Sequence, residues 1–200
     1  MFSNKKQKTI NMNSRVFIIA GHQGRGTGAS SKWLDEGMET ITLRDLIALN
    51  LTKYEFYDFV LDNGVDPISD KSSLTTVTSW LKKNAKNTDI SIDIHFNAAT
   101  ANVSGTEVFI PNNATVDERT LANRLLQVIT TTLGTKSRGV KTESSSQHSK
   151  LAMLSSFDCL NLLLEICFCT NEGDCNKYYE KREILAENIA KEIINCLKEQ

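Results

Sequence analysis

Apolar residues recur along this chain in two alternating rhythms. Residues 15–20 are an almost unbroken run of β-branched and aromatic side chains, which predicts a strand buried on both faces. Over residues 36–51 the rhythm changes: Ile41, Leu43, Leu46, Ile47 and Leu49 mark the apolar stripe of a helix. Residues 56–61 fit either a helix end or a short strand. Ser72 or Ser73 can cap a helix over residues 74–86 by accepting a hydrogen bond from its first turn. Residues 90–95 and 105–110 read as strands around a polar loop. Thr115 or Asp117 then opens a helix that runs to Leu133 and is terminated by Gly134. Residues 135–150, rich in Ser and Thr, read as a loop. A short strand over 151–154 and a buried one over 160–166 follow, and an amphipathic helix over 177–198 closes the chain.

Alternating strands and helices predict an α/β fold: a single domain with a twisted, mostly parallel or mixed sheet and helices on both faces. Two hundred residues suit one full-sized core, and no repeat, linker or low-complexity tract divides them. The domain is placed at residues 14–200. Residues 1–13, polar and carrying Lys5, Lys6 and Lys8, are read as a disordered lead. A net charge of −1 without a basic stripe argues against a nucleic-acid partner. Apolar runs of about five residues are far too short for a membrane span, and too short for a signal peptide. Synthesis in the cytoplasm is therefore expected. Five cysteines, all from residue 159 onward, are read as reduced packing thiols. Cys167-x-Cys169 with Cys175 lacks the paired two-residue spacing of a structural zinc site.

The chemistry gathers at strand ends. Gly21-His22-Gln23-Gly24-Arg25-Gly26-Thr27-Gly28-Ala29 follows the first strand, with Glu36 and Glu39 shortly after. His95 ends the strand at 90–95, and Glu165 ends the apolar run at 160–164. In α/β sheets the ligand crevice lies outside the carboxyl ends of the strands. His, His and Glu at three such ends, with another Glu nearby, are the raw material of a catalytic zinc site. The spacing alone leaves Glu36 and Glu39 open, because helix neighbours three apart share a face.

These residues resemble the zinc-dependent N-acetylmuramoyl-L-alanine amidases of the third amidase family, over about residues 15–198. The Gly-His-x-Gly loop, Asp93-Ile94-His95-Phe96-Asn97, Gly105-Thr106-Glu107-Val108, Arg138-Gly139-Val140-Lys141 and Leu164-Glu165-Ile166-Cys167-Phe168 carry the resemblance. Gln23 and Asp93 depart from it, standing where the family pattern has glycine and serine. The resemblance implies one Zn2+ per chain held by His22, Glu36 and His95. Glu36 is chosen over Glu39 because Ile41 and Leu43 follow it at the family's spacing. It further implies Glu165 as the catalytic proton carrier. Asn97, in the loop after His95, and Arg138, whose guanidinium suits a peptide carboxylate in a bidentate pair, are expected to bind substrate. The substrate would be the amide between N-acetylmuramic acid and L-alanine in peptidoglycan, reached after release or export, as by a phage-type lysin. A zinc peptidase or deacylase acting on another amide, and a non-catalytic wall-binding module, are the alternatives. Glu107 is expected to face solvent, as is His148, and oligomeric state is left open.

Overall fold

The computed structural model describes residues 14–54, 58–61, 73–148, 150–154 and 157–199, with the backbone alone at 58–61. The expected lead at 1–13, residues 56–57 of the ambiguous segment, and Ser72 lie outside the described residues.

The chain runs β1 (Arg15–Ala20), α1 (Glu36–Leu51), β2 (Asp58–Leu61), α2 (Leu74–Asn84), β3 (Ile90–Asn97), β4 (Thr106–Ile110), α3 (Val116–Leu133), β5 (Ser137–Thr142), β6 (Leu160–Phe168) and α4 (Glu172–Glu199). Residues 58–61 of the ambiguous segment thus form a strand. The cap signals behave as their chemistry dictates. The Ser73 side chain accepts from Thr76 N–H at the start of α2. Thr115 and Glu118 form a reciprocal capping box on α3, and Gly134 ends that helix in the left-handed region at φ 72°. Asn171 caps α4 by accepting from Asp174 N–H at 3.0 Å, so that helix starts several residues before its apolar stripe does.

Two expectations are corrected. The segment read as a loop at 135–150 contains β5, and residues 152–154 form a 3-10 turn instead of a strand. β5 is an edge strand of polar composition whose residues are mostly half-buried, so it lacks the apolar run that marks a central strand.

The six strands form one sheet in the order β2-β1-β3-β6-β4-β5. All neighbours are parallel except β4 and β6, which run antiparallel. Side chains of α1, α3 and α4, among them Leu43, Ile47, Leu125 and Ile189, pack on one face against Ile18, Ile92 and Leu164. On the other face Val77 and Leu81 of α2 close over Phe17 and Ile19, joined by Met153 of the 3-10 turn. Burial of each such aliphatic side chain contributes about 1.5–3 kcal/mol. β1, β3 and β6 lie side by side and parallel at the centre, so their carboxyl ends open on one edge. The register pairs His95 with Glu165, and Gly21 N–H extends the β1–β3 ladder to Ile94 O at 2.9 Å.

Candidate active site

His22 leaves β1, His95 stands near the end of β3, and Glu36 is the first residue of α1. Asp35 sets that helix start, its side chain accepting from Met38 N–H. One ligand atom from each of His22, Glu36 and His95 lies within 4.8 Å of the others. The two rings are perpendicular with centroids 5.1 Å apart. Two glycines make this approach possible. A Cβ on Gly21 would sit 2.0 Å from His95 Nε2, and one on Gly28 would sit 2.5 Å from both Glu36 Oε2 and His22 Cγ. Gly28 is also left-handed, at φ 70°. Gly21 and Gly28 are therefore the positions at which the backbone passes against the two rings, whereas a Cβ at Gly24 or Gly26 would meet nothing within 4 Å.

The Glu36 side chain is 4% exposed, and both its oxygens are held. Oε2 accepts from Ala29 N–H at 2.6 Å, and Oε1 accepts from Phe96 N–H at 3.0 Å and lies 3.1 Å from His95 Nδ1. Burial pushes its pKa up, but the His95 hydrogen bond and charge, with those two N–H donors, outweigh burial and hold it below the ordinary value. Burial lowers the pKa of His22 despite the opposing pull of Glu36, which favours the neutral, ligand-competent imidazole. For His95 burial also acts downward, but the Asp93 charge and hydrogen bond, reinforced by Glu36, keep it well above 6.5. Two imidazoles and a carboxylate suit zinc. The more exposed His22 borders a cavity of about 1030 Å³, so the donor set is open on the side where a substrate would enter.

Glu165 lines the same cavity. One edge of the residue reaches it, while Oε2 is sealed from solvent and has no hydrogen-bond partner among the described residues. Burial pushes its pKa up to about 7; His95 opposes this, and Glu36, Glu107 and Asp93 add to it. A carboxyl poised near neutrality is suited to taking up and giving back a proton.

Glu107, expected to face solvent, is 4% exposed and is a correction to the strand-alternation reading. Because β4 and β6 are antiparallel, Glu107 pairs in register with Glu165. Its Oε1 accepts from Asn97 Nδ2 at 2.7 Å. Its Oε2 accepts from Arg138 Nε at 2.9 Å and from Lys141 Nζ. The spacing between Glu107 and the Arg-Gly-Val-Lys segment carries no local signal of this cluster, since β5 lacks the apolar run that marks a strand. Asn97 spends its amide on Glu107 and its carbonyl on Ala98 N–H. Glu39 turns the other way, accepting from Tyr178 Oη at 3.1 Å and Arg182 Nη1 at 3.2 Å. All five cysteines are free thiols, and burial raises Cys169 to about 11 and Cys175 to about 12, which leaves them unreactive. His148 is exposed on the cavity rim.

One relative of this chain is the uncharacterized protein YqiI of Bacillus subtilis (strain 168). It is 26% identical over 166 residues, which cover 81% of this chain and 73% of YqiI. Among solved structures, an N-acetylmuramoyl-L-alanine amidase from Clostridium difficile 630 superposes with a TM-score of 0.76. It is 22% identical and is covered to 95%, against 91% of this chain. Cwp6 from Clostridium difficile superposes at 0.77 with 22% identity over 91% of this chain, which spans only 29% of the Cwp6 chain. At these identities the superpositions speak for the fold. The family model described as N-acetylmuramoyl-L-alanine amidase matches residues 16–199, from the first residues of β1 to the end of α4. With sheet, strand-end histidines and closing helix all inside that match, the chain belongs to the N-acetylmuramoyl-L-alanine amidase family.

Proposed function

We propose that this chain hydrolyses the amide between the lactyl group of N-acetylmuramic acid and L-alanine in a zinc-dependent reaction. His22, Glu36 and His95 would hold one metal ion, and Glu165 would carry the proton. Hydrolysis of peptidoglycan amides follows from the family; the metal, the residue roles and the scissile bond are our reading. The convergence of His22, Glu36 and His95 within 4.8 Å beside Glu165 carries it. Zinc bound by such a donor set supplies Lewis acidity, polarising a carbonyl and acidifying water.

The remaining work falls to side chains. Glu165 takes the proton from the attacking water as base and returns it to the departing L-alanine nitrogen as acid. Its sealed Oε2 and near-neutral pKa support both halves of that cycle. Arg138, stacked 4.9 Å over the Phe168 ring and tied through Nε to Glu107, keeps its outer nitrogens for a carboxylate of the stem peptide. Asn97 acts at one remove, by holding Glu107. Residues 14–200 form the catalytic domain in this reading. The enzyme acts on the cell wall after release or export, and no helix among the described residues is long and apolar enough to cross a membrane.

Mass spectrometry of muropeptides released from purified cell walls tests the assignment. A freed lactyl carboxyl with a new L-alanine amine is expected. Cuts within the stem peptide would mark a peptidase, and unaltered walls would mark a binding module.

A further inference from the structure

Asp93 is the position where the chain departs from the serine of the family pattern, and its surroundings are unusual. It is 2% exposed on β3, two residues before His95, so both side chains leave the same face of the strand. Asp93 Oδ2 lies 3.0 Å from His95 Nε2, while Nδ1 of the same ring lies 3.1 Å from Glu36 Oε1. The backbone of Gly21 closes against the Nε2 side, as the 2.0 Å approach of a Cβ there demonstrates. The ring is therefore held between two carboxylates, and only one of them belongs to the three-donor cluster.

We infer that Asp93 is a positioning residue of the metal centre, holding the Nε2–H of His95 so that the Nδ1 lone pair is presented to the ion. With a cation on the Nδ1 side the imidazole keeps one N–H, and Asp93, a carboxylate that can only accept, holds that proton on Nε2. Carboxylates behind metal-bound histidines fix ring orientation and raise ligand basicity. The other oxygen, Oδ1, is buried without a hydrogen-bond partner among the described residues. A carboxylate so poorly satisfied is costly to bury. Positive charge on the His95 ring compensates it: a second ring proton shared with Glu36 does so in the metal-free protein, and a bound cation would take that proton's place. Serine at this position offers a hydroxyl without charge, so aspartate makes this histidine the stronger donor.

The inference rests on the zinc reading, and the test separates the two. Metal-stripped protein is titrated with Zn2+ against a chromophoric chelator. Failure of the unaltered chain to bind one Zn2+ would sink the metal reading itself. With that binding in hand, Asp93→Asn and Asp93→Ser are expected to retain the fold by circular dichroism and to lose about 10–100-fold in affinity. Affinity equal to that of the unaltered chain in both variants overturns the role of Asp93. Nitrogen-15 spectra of the Zn2+-loaded protein provide a second readout, whose assignment of the coordinating nitrogen needs only the unaltered chain. They should show His95 bound through Nδ1 with a proton on Nε2 shifted downfield, moving upfield in Asp93→Asn. Coordination through Nε2, or a proton resonance indifferent to the substitution, overturns it as well.

Discussion

Replacing Glu165 with glutamine isolates what its buried carboxyl costs the fold and what it does for turnover. In the metal-free protein its pKa rises from 4.5 to about 7 because burial disfavours the charged form. Each unit corresponds to about 1.4 kcal/mol, so the ionised group costs at most about 3 kcal/mol of stability, and about 1–3 kcal/mol once its cavity-facing edge is allowed for. The sign follows from which state holds the proton. Below pH 4.5 both folded and unfolded chains keep the group neutral, and no penalty arises. Between 4.5 and 7 the unfolded chain ionises while the folded one resists, so stability falls as pH rises. Above 7 both are ionised and the loss levels off. Glutamine cannot ionise. Urea unfolding in the presence of a chelator, from pH 4.5 to 8.5, should therefore show the variant gaining on the unaltered chain up to about pH 7 and no further. Taking the difference between the two proteins cancels the titrating groups that do not interact with Glu165, and leaves its own titration together with its coupling to His95, Glu36, Glu107 and Asp93. A gap that stays constant across that range would refute the burial argument for Glu165. The same variant loaded with Zn2+ should keep its metal and lose roughly 10²-fold or more in turnover. Loss of the metal would make Glu165 a ligand, and full activity would remove it from proton transfer.

Three further outcomes are expected. His22→Ala, Glu36→Ala and His95→Ala should each lose Zn2+ by elemental analysis while Glu39→Ala keeps it, because the Glu39 carboxylate is engaged with Tyr178 and Arg182 on α4; metal loss in Glu39→Ala would reverse the choice of ligand. Gly28→Ala should empty the site, since its Cβ would meet Glu36 Oε2 and His22 Cγ at 2.5 Å, whereas Gly26→Ala meets nothing within 4 Å and should cost only about 1–2 kcal/mol of left-handed backbone strain in thermal melts. A non-chelating reductant should leave melting temperature and activity unchanged, because all five thiols are free; a drop in either would reveal a bridge.

The periodicities of the chain determined much of this protein. The apolar run at 15–20 specifies a central strand because it can be buried on both faces, and the stripe at 36–51 specifies a helix that buries Leu43 and Ile47, although Leu49, expected in that stripe, is 61% exposed. The serine, threonine and glycine signals at 73, 115 and 134 mark helix ends for an equally local reason, the unpaired backbone groups there. Strand ends carrying His22, His95 and Glu165 were legible for the same reason, since the carboxyl edge of a parallel sheet collects whatever follows its strands. What the sequence could not determine is what depends on which strands are neighbours. The choice of Glu36 over Glu39 from geometry needs α1 seated with one carboxylate under the backbone of Phe96 and the other against α4. The burial of Glu107 needs β4 to enter antiparallel beside β6 and β5 to bring Arg138 and Lys141 from the polar segment beyond α3. Asp93 reads as one more polar residue in a strand until the His95 ring is fixed between it and Glu36. Local pattern records how each segment meets water, whereas charge compensation is settled by groups far apart in the chain, and only the folded sheet brings those together.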